Sequence, residues 1–188
     1  IVVLGLAGTA ANIGSCVYVV AATLDLQTVR GLSAATAGLL FFVSSVGLAS
    51  CGPLAGRLSV RFPPGIVMGV ALLLSAPALL LLAVAGPLPL YVVALALCGL
   101  TTGMGFALGQ LAVQNVLPPE RSAEGTSVTL TLLICVGGVG VVVAAAVIEA
   151  LGDQHTTAPG IAAVLVGLAA LLLLAGLVTV VTERARTR

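Results

Sequence analysis

Gly52-Pro53-Leu54-Ala55-Gly56-Arg57-Leu58-Ser59-Val60-Arg61-Phe62-Pro63-Pro64 sets two arginines, two glycines and three prolines between two long apolar runs. By composition it reads as a short, positively charged connector with a tight turn between two membrane helices. Gly and Pro continue a helix poorly, and Pro63-Pro64 removes two backbone donors. Short loops rich in Arg or Lys stay on the cytoplasmic side of a membrane. Arg57 and Arg61 therefore hold this connector at the cytoplasmic headgroups and set which way up the protein sits.

The composition around this stretch leaves little choice of solvent. Hydrophobic residues make up 60% of the chain and charged residues 7%, with a mean hydropathy of +1.29. A soluble domain carries about 25% charged residues. A chain this poor in charge uses lipid as its solvent, where backbone polar groups must be satisfied internally by helices or a closed barrel. Continuous apolar runs of about 20 residues select helices, because barrel strands are about 10 residues long and alternate in polarity. The expectation is an all-α membrane protein with six transmembrane helices near 1–24, 34–55, 65–85, 90–116, 124–150 and 160–182, forming one unit over 1–188.

Net charge is +1, all of the positive charge is Arg, and nothing suggests a nucleic-acid partner. Cys16, Cys51, Cys98 and Cys135 fall in four different apolar runs without a CxxC pair. They read as small buried hydrophobes, with no metal site, disulfide framework or other cofactor called for. The chain opens as Ile1-Val2-Val3-Leu4 with no initiator Met and no basic leader, which reads as a piece of a longer protein.

Along the chain, the first run places Thr9, Asn12 and Cys16 on one helical face, with Ser15 nearby. An amide facing hydrocarbon is costly, so this face should turn toward other helices or a water-filled path. Two readings stand for it, interhelical packing and a substrate-contacting surface. Asp25 to Ser33 is a polar link, with Ser33 placed to cap the second helix. The second run carries Phe41 and Ser45. The third, with Ser75 its only hydroxyl, is expected to face lipid over much of its circumference. Gly86-Pro87-Leu88-Pro89 is short enough to set the fourth helix antiparallel beside the third.

The fourth run holds two overlapping GxxxG patterns, Gly99/Gly103 and Gly105/Gly109, together with Thr101, Thr102, Gln110 and Gln114. Close helix packing and bending are both compatible with such a run. A second connector, Pro118-Pro119-Glu120-Arg121-Ser122, leads to the fifth run, where Ser127, Thr131 and Cys135 recur at intervals of four. His155 falls in an outer link, and the sixth run is nearly all Leu, Val and Ala. With six crossings, Arg57, Arg61, Arg121, Arg184, Arg186 and Arg188 share one side and Arg30 alone takes the other. Both ends are then expected to be cytoplasmic.

Three stretches resemble the C-terminal six-helix half of a major facilitator superfamily transporter. LQTVRGLSAATAG (26–38) looks like the external loop and second-helix start, of the form LQ-x-x-x-GLS-x-x-x-AG. GPLAGRLSVRF (52–62) is similar to the cytoplasmic signature GxLADRxGRR, with Gly56 where Asp is frequent, and the resemblance implies that Gly52, Gly56, Arg57 and Arg61 form a gating connector. LPPERSAEGTS (117–127), followed by GGVG (137–140), is similar to PPERRGxASG...GGxxG of the drug:proton antiporter branch, with Cys135 where Gln is frequent.

The resemblance implies half of a 3+3 inverted-repeat fold, rocking against a missing N-terminal half around a small-molecule substrate at the bilayer midplane. It also implies that helices one, two, four and five line the cavity while three and six lie outside. No ionisable residue lies near the middle of a span, so a proton-carrying carboxylate is expected in the other half. The same lack disfavours an intramembrane enzyme. The expected activity is drug efflux-like secondary transport of a lipophilic or amphipathic solute in the cell membrane. Asn12, Ser15, Cys16, Phe41, Ser45, Thr102, Gln110, Thr131 and Cys135 are the substrate-path candidates. A sugar or metabolite uptake carrier and a non-transporting membrane scaffold are the competing readings.

Overall fold

A computed structural model describes residues 2–114, 122–151 and 158–186. The second connector's Glu120 and Arg121, the outer-link His155 and the terminal Arg188 lie outside the described residues. The elements are α1 (Val2–Leu24), a π-helical turn (Asp25–Val29), α2 (Ala34–Arg61), α3 (Pro64–Val84), α4 (Leu88–Gln114), α5 (Ser122–Leu151) and α6 (Ala158–Arg186), with no strand among the described residues. The shortest of the six long helices has 21 residues. At 1.5 Å per residue it rises about 31 Å, enough for a hydrocarbon core of about 30 Å.

The helices form two layers. The most extensive contacts are between α3 and α6 and between α2 and α4, and α4 and α1 and then α1 and α5 extend the second pairing. The front layer is thus a row α2, α4, α1, α5, backed by α3 and α6. This is the grouping that the resemblance implied. Lipid is as apolar as Leu, so burial of hydrocarbon alone gives little drive to pair helices; close backbone approach and dispersion do. The two GxxxG patterns of α4 supply that approach to two different neighbours. A Cβ on Gly99 would meet Ser44 of α2, and one on Gly103 would meet Leu48 and Cys51. A Cβ on Gly105 would instead meet Ala11 of α1, and Gly109 lies against the Gly8 backbone.

Two expectations need correction. The stretch from Gly52 to Arg61 is not a turn: α2 runs through Gly52, Pro53, Gly56 and Arg57 and ends at Arg61. Only Phe62-Pro63 separates it from α3, which has Pro64 in its first turn. Pro53 does cost the helix a donor, but an unwound backbone inside lipid would leave several more groups unpaired, so the helix continues to its end. The first helix likewise stays helical past Leu24 through the π turn.

The second correction concerns α3, which is not mainly lipid-facing. Met68, Leu72 and Leu79 are fully buried, as is Ser75, whose hydroxyl donates to the Ala71 carbonyl. Small residues account for this, because Gly69 and Gly176 bring α3 and α6 into backbone contact. Polarity does not report burial when the surrounding solvent is itself hydrocarbon.

Gly109→Val is expected to force α1 and α4 apart and cost about 1–3 kcal/mol. Gly167→Ala, with open space around the added carbon, should be neutral. Thermal survival of the monodisperse protein on size exclusion checks both.

Candidate functional site

Packing explains where an open site can form. α4 and α5 both pack on α1 but touch each other only sparsely. The gap between them is a pocket of about 180 Å³, walled by Gly8 and Thr9 of α1, Phe106 and Gln110 of α4, and Thr129 and Leu133 of α5. The Thr9 hydroxyl donates to Gly5 at 2.9 Å and that of Thr129 to Gly125 at 2.7 Å. Both hydroxyl protons are therefore committed to their own helices. Gln110 is different. Its Oε1 and Nε2 are both shielded and have no hydrogen-bond partner among the described residues. A buried unpaired amide costs about 1–3 kcal/mol for each polar group left unsatisfied.

Asn12 lies one turn deeper on α1 than Thr9. Its Nδ2 donates to the Leu133 carbonyl at 2.6 Å, so it ties α1 to α5 beside the pocket wall. Gly137 makes room for this bond: a Cβ there would come within 2.9 Å of both Asn12 Nδ2 and Cys16 Sγ. Asn12 and Cys16 are thus brought together at the α1/α5 seam, and Asn12 acts there as an interhelical bond. Ser15 is half-buried on the same helix.

The remaining candidates do not converge on this pocket. Thr102 is fully buried and donates to Cys98 at 2.6 Å, inside the helix core. Phe41 packs partly against the core, and the exposed Ser45 donates back to its carbonyl at 3.1 Å. Thr131 and Cys135 are exposed on α5, with the Thr131 hydroxyl bonded to Ser127 at 2.9 Å. Gly52 and Gly56 are exposed on α2 with open space around them, and Arg57 and Arg61 are exposed on the same helix. Among the described residues no group of His, Cys, Asp or Glu could hold a metal ion.

Six apolar membrane-length helices, in two layers with a pocket holding Gln110 between α1, α4 and α5, can now be set beside known proteins. The family model described as Major Facilitator Superfamily matches residues 3–188. The chain belongs to the major facilitator superfamily. Its six helices are an all-α half of that fold, and it is an integral membrane protein of a secondary transporter family, with a small-molecule substrate and a lipid environment. A comparison with curated proteins gives no match.

Two polar clusters of this superfamily member escaped the sequence reading. Tyr18 and Ser44, each 4% exposed, join α1 to α2 through a 2.8 Å bond between their hydroxyls. The signal was available, because the chain has only two tyrosines and a buried Tyr hydroxyl finds a partner. The second tyrosine, Tyr91, anchors the other cluster. Arg30 pairs with Asp25 at 2.9 Å, donates to the Ala85 and Gly86 carbonyls, and lies 4.3 Å over the Tyr91 ring. Its guanidinium thereby caps the end of α3 and clamps the α1/α2 link to the α3/α4 link. Gly31 makes the turn possible with φ +65°, the one positive φ among the described residues.

Arg30→Gln should release this clamp and cost about 2 kcal/mol, since charge-assisted bonds to carbonyls and carboxylate are lost together. The expected reading is a lower unfolding midpoint, with an equal loss in Arg30→Ala and partial recovery in Arg30→Lys.

Proposed function

We propose that this bundle is the C-terminal half of a proton-coupled exporter of small, weakly polar or amphipathic solutes, working by alternating access. The observation that carries the reading is the Gln110 amide, buried without a partner in a pocket whose other polar side chains already use their protons. A packing role leaves that amide unexplained. A solute bearing one carbonyl or amine would pair with it, while Phe106 and the leucines of α5 take its apolar part. Asn12 bonds to Leu133 at the pocket's edge, so movement of α5 against α1 would reshape the wall. The pocket walls carry no charged side chain, which suits neutral groups and leaves the proton-carrying carboxylate to a part of the transporter beyond this chain.

Support for a second half comes from the two ends of the front row. α2 and α5 are the least buried helices. On α2, Gly38, Ser45, Ala49, Gly52 and Gly56 form an exposed small-residue stripe, and its three glycines have nothing within 4 Å. On α5, Ser127, Thr131, Cys135 and Gly138 do the same. Such faces fit the close approach of other helices. Arg57, Arg61 and Arg184 lie opposite Arg30 in the six-crossing topology, which supports cytoplasmic ends in a cell membrane.

Gln110→Leu separates site from scaffold. Removing an unpaired buried amide should leave stability unchanged or raise it by about 1 kcal/mol, while flux through vesicles containing the full-length protein falls at least tenfold. A variant of undiminished flux would remove Gln110 and its pocket from the transport path.

A further inference from the structure

A second cavity, with a different character, opens where α2 and α3 splay apart. The helices are joined by only two residues yet make few direct contacts. Between them, and floored by α4, lies a groove of about 430 Å³. Its walls include Leu54 and Leu58 of α2, Phe62 just after it, Val70 and Leu74 of α3, and Met104 of α4. Thr101 brings its one hydroxyl, and that donates to the Leu97 carbonyl at 2.8 Å. The groove therefore offers a water molecule no partner and fits hydrocarbon. Leu54, Phe62, Val70 and Leu74 are exposed, so it opens outward to lipid.

Charge stands beside this groove. Leu54, Arg57, Leu58 and Arg61 follow the i, i+3, i+4, i+7 spacing of one helical face, and Phe62 follows at the end of the helix. The leucines of this face and Phe62 line the groove, and the two arginines flank them at the membrane–water end of α2. Both are exposed, and among the described residues neither has a hydrogen-bond or ion-pair partner. They sit about one turn, or 6 Å, apart in height. Glu183, packed against Gly65 at the start of α3, is engaged with a partner of its own. An apolar cleft with two unpaired cations on the adjoining part of α2 matches a molecule with an anionic head and a hydrocarbon tail.

We infer that the α2/α3/α4 groove is a binding site for one acyl chain of an anionic phospholipid, whose headgroup phosphate is held by Arg57 and Arg61. Neighbouring arginines at a membrane surface favour anionic over zwitterionic headgroups, and the groove gives the chain a fixed place. The lipid would fill the space between helices that barely touch, and so would set the angle between α2 and α3.

The test uses the full-length protein in phosphatidylcholine vesicles doped with phosphatidylglycerol or phosphatidylcholine carrying a photoactivatable group midway along one chain. Peptide mapping reads the labelled positions. The anionic probe should label residues 54–74 on the order of tenfold more than the zwitterionic probe. Arg57→Gln with Arg61→Gln should bring the two probes to equal labelling, and Val70→Trp, which fills the groove at a lipid-exposed position, should lower both. Equal labelling by the two probes in the unmodified protein overturns the site, and that measurement needs no variant. Anionic label spread evenly over α5 and α6, or a preference that survives loss of both arginines, overturns it as well.

Discussion

Backbone contact at glycine is the interaction on which this bundle depends. In water a helix pair is held by removing apolar surface from solvent; in hydrocarbon that surface is equally content facing lipid. What remains is dispersion, which falls off steeply with distance, so the helices must come very close. Gly8 against Gly109, Gly69 against Gly176, Gly47 against Ala96 and Gly160 against Ile148 are four such approaches, on four different helix pairs. In each, an added Cβ would stand within about 3 Å of backbone atoms on the neighbour. The glycines of α4 matter most to the architecture. Gly99 and Gly103 point to α2 while Gly105 and Gly109 point to α1, which makes α4 the hinge post of the front row.

A second constraint, that no polar group can be left to solvent in the hydrocarbon, governs where the few polar side chains go. Most hydroxyls turn back onto their own helix: Thr9, Ser45, Ser50, Ser75, Thr102 and Thr131 all donate to a carbonyl four residues earlier. Such bonds are local and carry no information about neighbours. The informative bonds cross between helices, and there are few. Asn12 to Leu133 closes α1 on α5, Tyr18 to Ser44 closes α1 on α2, and Arg30 closes the α1/α2 link on the α3/α4 link. Against this economy Gln110 stands out, because among the described residues neither of its amide atoms has a partner.

How much of this could be read beforehand follows from which rule each residue obeys. Span number and the minimum length of each span were legible, since lipid thickness imposes them on any chain of this composition. So was Ser33, whose Oγ accepts from the Thr36 N–H at 3.2 Å as an N-cap should. The stretch around Gly52 was misread because Gly and Pro break helices by the standards of water, where an opened backbone is rehydrated. Inside a membrane no such alternative exists, and α2 carries both residues to its end at Arg61. The burial of α3 was not legible from its lack of polar residues, whereas the spacing of Gly69, Ala76 and Leu72 would have been the better guide. For the site, Asn12 and Gln110 were visible as amides in apolar runs. Their separate fates depend on how far α5 leans from α4, which no single-helix pattern encodes.

The unequal packing of the six helices ties these points together. α3 is closely applied to both α6 and α4, and α1 touches α4, α5 and α6, so four helices share a dense interior around Met68, Leu72, Leu95 and Leu172. α2 and α5 are each attached along one side and leave most of their surface open. Both cavities lie beside these two helices: the amide pocket where α5 stands off from α4, and the apolar groove where α2 stands off from α3. Sparse contact means a low free-energy cost for displacement, so in this bundle the same two helices that wall the cavities are the ones least held by the rest. A cavity with one unpaired amide and an apolar groove, each bounded by a lightly attached helix on an otherwise dense base, place open space and ease of movement on the same elements.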